Sequence, residues 1–319
     1  MAVQQQHTTS FASLPPEIIL EIIPRIPYDP ESLLRLQLTL RSFRSLIESH
    51  EHSMVSEIRA QQYTKSTLRL FPSLAHDWRG LSVLHRRLQT LADVHEHWLK
   101  ITHNGPELHW LRDRWEAAHK AGMLLLYRIR DNETHEAKMS TVRALPATSL
   151  ACLLFKLYSS IKILRIYGPE PINLSFAAGD LVLRSDIELA FEEMLLTHGP
   201  DFFVILLKSG RPDCEQRGWA IDVLRKEVAG MEDRQLPLPD GTHQPPTLIS
   251  VLRQAFAACT DCHVAEVTAK MWEILSGTLF DSIDEDMMAS LVNGEAICRK
   301  GRMERQNTWH MTEGRCCGY

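Results

Sequence analysis

Between Leu14 and Ile47 the chain is dense in isoleucine and leucine and punctuated by proline, and this combination constrains the fold most. Pro15 and Pro16 stand just before Glu17. Proline is pre-organised for a first helical turn, and an acid there complements the helix dipole. Ile18, Ile19, Ile22 and Ile23 then recur at helical spacing. Pro24 should end or kink that helix. Pro27, Tyr28, Asp29 and Pro30 read as a turn, and a second helix should start near Glu31 with Leu33, Leu34, Leu36, Leu38 and Leu40. A third runs through Phe43, Leu46 and Ile47. Three such helices cannot bury this much aliphatic surface among themselves within about 35 residues. Some of it must meet another domain or another protein.

The stretch resembles an F-box over about the first sixth of the chain. Leu14-Pro15 with Glu17-Ile18 matches the family's opening Leu-Pro-x-Glu-hydrophobic pattern. Ile22 and Ile26 match its first-helix apolar positions, and Ser32-Leu33-Leu34-Arg35-Leu36 its leucine-rich second helix. Arg41, Phe43, Arg44 and Leu46 match the closing Arg-x-aromatic-Arg-x-Leu. Thr39 stands where valine is usual, Phe43 where tryptophan is common, and Pro24 interrupts the first helix. The resemblance implies a three-helix F-box over residues 11–60 that docks on the Skp adaptor of a cullin–RING ubiquitin ligase. Leu14, Pro15, Ile18, Ile22, Leu33, Leu36 and Phe43 would be the apolar anchors of that interface or its support. It further implies a non-catalytic adaptor that presents a protein substrate for ubiquitination, the gain being proximity. The other reading of the same helices is an all-α scaffold or interaction protein acting outside a ligase.

The 319 residues suffice for two domains or one large one. With 44% hydrophobic and 24% charged residues the composition is ordinary for a globular protein, and a net charge of -5 gives no reason to expect nucleic acid. The first ten residues are polar and uncharged, unlike a secretory signal. Apolar runs such as Met123–Tyr127 and Phe202–Leu207 are too short to cross a bilayer. The expectation is an intracellular protein, cytoplasmic or nuclear, without a membrane partner. Seven irregularly spaced cysteines argue against a disulfide framework and for mostly reduced thiols.

The remainder reads as helices, so the expected class is all-α: the F-box, then an irregular multi-helix domain of two antiparallel lobes. The expected divisions are a flexible tail at 1–10, lobes at 61–170 and 171–300 separated by the Tyr167–Pro171 break, and a flexible tail at 301–319. Leu81 to Ile101 is the best long helix, its apolar residues stepping by three or four. A further helix should carry Leu108, Leu111 and Trp115, and another Leu150, Leu153, Leu154, Leu157 and Ile161. Ser185-Asp186-Ile187-Glu188 and Ser282-Ile283-Asp284-Glu285 read as capping boxes, the second leading a helix to about Arg299. Asp201 to Ser209 reads as a short helix, and the next turns Trp219, Leu224 and Val228 inward and stops at Gly230. Leu236 to Pro246 reads as an exposed loop. No fixed internal period marks a solenoid.

Chemistry-bearing patterns are sparse, and the expectation is no cofactor, no metal and no catalytic residue. Cys259-Thr260-Asp261-Cys262-His263 has the haem-attachment spacing and could offer three zinc ligands, but a helix corner of small residues is the simpler reading. His95, His97 and His103 near Glu96 lack the spacing that puts two ligands on one helical face. Ser159 with Lys162 is too short a pattern without companions. Glu192-Glu193 reads as a solvated helix face. Trp98, Trp110 and Trp115 read as helix-packing core, with an aromatic peptide-holding surface the sharper alternative. Cys316 near the chain end lacks the residues that prenylation requires.

Overall fold

The computed structural model describes residues 14–104, 107–112, 114–170, 172–173, 181–208, 214–233, 245–278, 280 and 283–295. Every regular element among them is helical, in agreement with the all-α expectation. Both expected tails, Cys298, Cys316 and nearly all of the Leu236–Pro246 stretch lie outside the described residues.

In chain order the α-helices are α1 (Pro16–Ile22), α2 (Pro30–Thr39), α3 (Arg41–Ser49), α4 (Glu51–Gln62), α5 (Lys65–Leu70), α6 (Trp78–Asn104), α7 (Arg114–Arg130) and α8 (His135–Ala144). They continue as α9 (Ala147–Tyr167), α10 (Leu181–His198), α11 (Pro200–Leu207), α12 (Cys214–Asp233), α13 (Leu248–Thr260), α14 (Val267–Gly277) and α15 (Glu285–Val292). The chain divides into two compact units between Gln89 and Thr90, inside α6, and not at Tyr167–Pro171. Helices on either side of that expected break pack together: α9 against α10, α13 and α14, and α7 against α10 and α15. A loop break therefore does not separate two cores here.

In the first unit the prolines act as their chemistry dictates. Pro24 turns the end of the first helix into a 3-10 segment, Ile23–Arg25, rather than a further α turn. Asp29 caps α2, its carboxylate accepting from the backbone N–H of Glu31 and Ser32, with Pro30 in the first turn. Leu40 is extended and separates α2 from α3. The core is Ile19, Ile23, Phe43, Ile47 and Met54, with Leu14, Leu20, Leu33, Leu36, Leu46 and Trp78 packed around it. Met54 belongs to α4 and Trp78 to α6, so the three N-terminal helices are partly covered by later residues of their own unit.

The second unit is built around α9, whose described core contribution runs from Ser149 to Leu164 with only a few interruptions. By length and composition α9 could cross a membrane, contrary to the expectation drawn from shorter apolar runs; 78% of its apolar window is buried among other helices. Gly122 lets α7 approach it: a Cβ there would lie 2.4 Å from Cβ of Lys156 and 2.7 Å from the Cys152 carbonyl.

Several helix boundaries differ from expectation for visible reasons. The Leu108–Trp115 helix is split into a 3-10 turn, His109–Leu111, and α7. Arg112 is extended between them, and its guanidinium donates to the Thr102 and His103 carbonyls at the end of α6. α10 begins at Leu181, ahead of the expected Ser185 cap, and Glu188 pairs with Arg165 and Arg184 instead of capping. α12 runs past Gly230 to Asp233. α15 is capped by Asp284 and ends at Val292, well before Arg299, where Gly294 takes φ 72° and the last carbonyls accept from Ser149 and Arg128.

Candidate functional site

α2 contains four leucines and not one fully buried residue. Leu33 and Leu36 lean on the unit's core, while Leu34 and Leu38 point to water, 55% and 72% exposed. Ile18 on α1 and Ile26 after the 3-10 turn are 42% and 50% exposed, and Leu40 is exposed as well. Five of the eight exposed large hydrophobics among the described residues thus fall between Ile18 and Leu40. Scattered exposed leucines are ordinary; this concentration on two short helices and their turn is not.

The turn carrying Ile26 is held by Gln62, the last residue of α4. Its side-chain oxygen accepts from the Tyr28 N–H at 2.7 Å, and its amide donates to the Pro24 and Ile26 carbonyls at 2.7 and 2.8 Å. The Tyr28 ring stacks on Trp78 and meets His85 edge-on. The hydroxyl of Thr39 donates to the Arg35 carbonyl at 2.8 Å, so the threonine in a usual valine position leaves no polar group unpaired.

Of the expected anchors, Pro15 and Ile18 are exposed, and Leu14, Ile22, Leu33 and Leu36 are half-buried. Phe43 is buried, 4% exposed, and belongs to the support beneath the surface. Leu34, Leu38 and Leu40 are the surface residues missing from that set. Their signal in the sequence is the alternation on α2: Leu33 and Leu36 share one face, and Leu34 and Leu38, four apart, share another.

In the second unit the three tryptophans pack between helices, as the core reading expects, and the alternative of one aromatic surface does not assemble. Trp98 packs tilted against His119 with ring centroids 3.7 Å apart, whereas Trp110 and Trp115 gather with Phe155 and Tyr158 around Trp272. Trp219 is 48% exposed rather than inward, its ring set edge-on to His198 and Phe202. The Cys259–His263 segment is a helix corner. Asp261 takes the left-handed conformation, the His263 ring accepts from the Ala265 N–H, and Glu266 accepts from the His263 N–H. Cys259 is disulfide-bonded and Cys262 is free, so the two are not bonded to each other. His97 and His103 are hydrogen-bonded to the carbonyls one turn back, and no group of three metal-ligating side chains assembles among the described residues. Ser159 donates to the Lys156 carbonyl, and Lys162 lies over the Tyr158 ring.

Glu192 and Glu193 are buried, not solvated. Glu193 accepts from the Leu248 and Ile249 N–H groups, both at 3.0 Å, capping α13 from another helix. Glu192 pairs with Arg253 at 2.8 Å. Burial pushes its carboxyl up to about 7, with Glu188 and Glu193 adding to the rise and Arg253 opposing it. Glu188, Glu192 and Arg253 border a cleft of about 400 Å³ with an apolar floor of Leu154, Ile161, Val267 and Met271.

A second, smaller cavity of about 50 Å³, without a signature in the sequence, lies between α6, α7, α9 and α11. Val94, Trp98, Ile163 and Phe203 line it, and His119 with them. α11, which carries Phe203, is fixed at its first turn by Asp201, whose carboxylate accepts from the Tyr127 hydroxyl and pairs with Arg130.

No protein-family model matches the chain, and no curated protein or solved structure does.

Proposed function

We propose that this protein is a substrate adaptor of the F-box type, docking through its N-terminal unit on the Skp adaptor of a cullin–RING ubiquitin ligase. The observation that carries the reading is α2, a helix with four leucines and no fully buried residue in a unit that has a core of its own. Fully covering a leucine or isoleucine is worth about 1.5–3 kcal/mol, so Ile18, Ile26, Leu34 and Leu38 together offer a partner a substantial apolar gain. The Leu-Pro-x-Glu-Ile opening and the Arg-x-Phe-Arg-x-Leu close, flanking that surface, are what point to the F-box partner.

In this role the protein catalyses nothing itself. The second unit holds the target near the ligase, which raises its effective concentration there. The cleft bordered by Arg165, Glu188, Glu192 and Arg253 is the natural place for a target segment. Co-purification with the Skp adaptor, with the proteasome inhibited, tests the reading. Changing Leu14, Pro15 and Ile18 together to alanine should abolish adaptor recovery and leave the helical signal of the chain in place. Full recovery of the adaptor with that triple variant would defeat the proposal.

A further inference from the structure

Two basic side chains in the second unit are fully enclosed without a hydrogen-bond partner. His119 on α7 is 4% exposed, and neither ring nitrogen is hydrogen-bonded. Lys156 on α9 is 0% exposed, and its Nζ is hydrogen-bonded to nothing. Buried polar groups are normally paired, and an enclosed base without a counter-charge carries a desolvation cost that nothing returns. These two are also neighbours. The Lys156 stem crosses Gly122, one turn along α7 from His119, and burial together with the nearby Lys156 and His95 holds the imidazole well below its ordinary range. Burial alone does the same to the Lys156 amine.

The small cavity reaches one member of this pair, and one of its wall residues touches the other. His119 lines it directly. Lys156 rests its Nζ 3.8 Å from the centroid of the Phe203 ring, and Phe203 is a cavity wall. Asp93, His97 and Lys208 stand at the cavity as well, and all three are exposed. The other lining side chains are apolar or aromatic. Its volume of about 50 Å³ corresponds to a few water-sized groups, enough for a ligand of about four or five heavy atoms.

We propose that this cavity binds a short-chain carboxylate, the apolar end against Trp98, Ile163 and Phe203 and the carboxylate accepting from His119, with a proton taken up by the His119–Lys156 pair on binding as its counter-charge. A carboxylate is acceptor-only, which suits two groups whose unmet capacity includes donors, and its negative charge favours uptake of a proton by one of the enclosed bases. A neutral ligand of the same shape fills the cavity but brings no negative charge to hold a proton on either base. The inference is independent of what the N-terminal unit binds.

The test uses the full chain and two isosteric probes, propionate and propionamide, titrated separately by saturation-transfer difference NMR. The expected result is a dissociation constant at least about tenfold lower for propionate, equivalent to about 1.4 kcal/mol. His119→Phe keeps the ring on Trp98 and Lys156→Met keeps the stem over Gly122, and each should bring the ratio close to one. Both variants remove an unpaired polar group, so each should melt at or above the wild-type temperature, and a folded variant is available for the comparison. Equal binding of the two probes, binding of neither, or a preference that survives in either variant overturns the proposal.

Discussion

The Nζ of Lys156 lies 3.8 Å from the centroid of the Phe203 ring, with no hydrogen-bond acceptor within reach. Contact with an aromatic face returns part of what the amine loses by leaving water, but not all. Its pKa is well below the ordinary lysine value because of burial. The folded chain therefore binds fewer protons than the unfolded chain between that depressed value and about 10.4. Stability conferred on the wild type should rise with pH through that window. Lys156→Met should remove the rise and stabilise the second unit by about 1–3 kcal/mol, read from urea unfolding at about pH 6 and about pH 9. A destabilised variant would show that the amine is satisfied in solution.

Glu192 gives the opposite sign. Its carboxyl is raised to about 7, so the folded chain holds a proton that the unfolded chain releases near the ordinary carboxylate value of about 4.3. Stability should fall as pH rises through that window, by up to about 3 kcal/mol from this group. Glu192→Gln should flatten the profile there, since its partner Arg253 is 41% exposed at the side chain and can be rehydrated. Thermal melts between about pH 4 and about pH 8 check it.

The surface and its support in the first unit should separate cleanly. Leu34→Ser with Leu38→Ser should change the unfolding free energy by no more than about 0.5 kcal/mol, because both side chains already face water. Phe43→Ala should cost about 3–5 kcal/mol, the price of emptying a buried aromatic site. Denaturant unfolding followed by circular dichroism distinguishes the two.

Gln62 is expected to matter more than its place at a helix end implies. Gln62→Ala removes three hydrogen bonds to the Pro24–Tyr28 turn. It should cost about 1–3 kcal/mol in the first unit and speed hydrogen exchange at the Tyr28 amide, while the second unit is unaffected.

Periodicity made the helical class, and elements such as α6 and α9, legible before any coordinates. It could not place the unit boundary inside α6, because a helix pattern does not say which core each turn serves. The corner at Asp261 was readable; the disulfide at Cys259 was not, since spacing carries no pairing. Glu193 looked solvated because its partners, the N–H groups of Leu248 and Ile249, lie far along the chain. Lys156 did leave a trace, as a lone cation in an otherwise uncharged stretch from Leu150 to Ile161. Only the packing against Gly122 and Phe203 reveals that it stays inside. In the N-terminal stretch the sequence made the aliphatic excess plain, while the structure divides it into a half that α4 and Trp78 cover and a half left on water.

The most direct measurement is calorimetric titration of the full chain with purified Skp adaptor, wild type beside the Leu34→Ser, Leu38→Ser variant. Saturable binding by the wild type and a loss of at least about tenfold in the variant, equivalent to about 1.4 kcal/mol, is the predicted result. No binding by the wild type, or equal binding by both, contradicts docking through this surface.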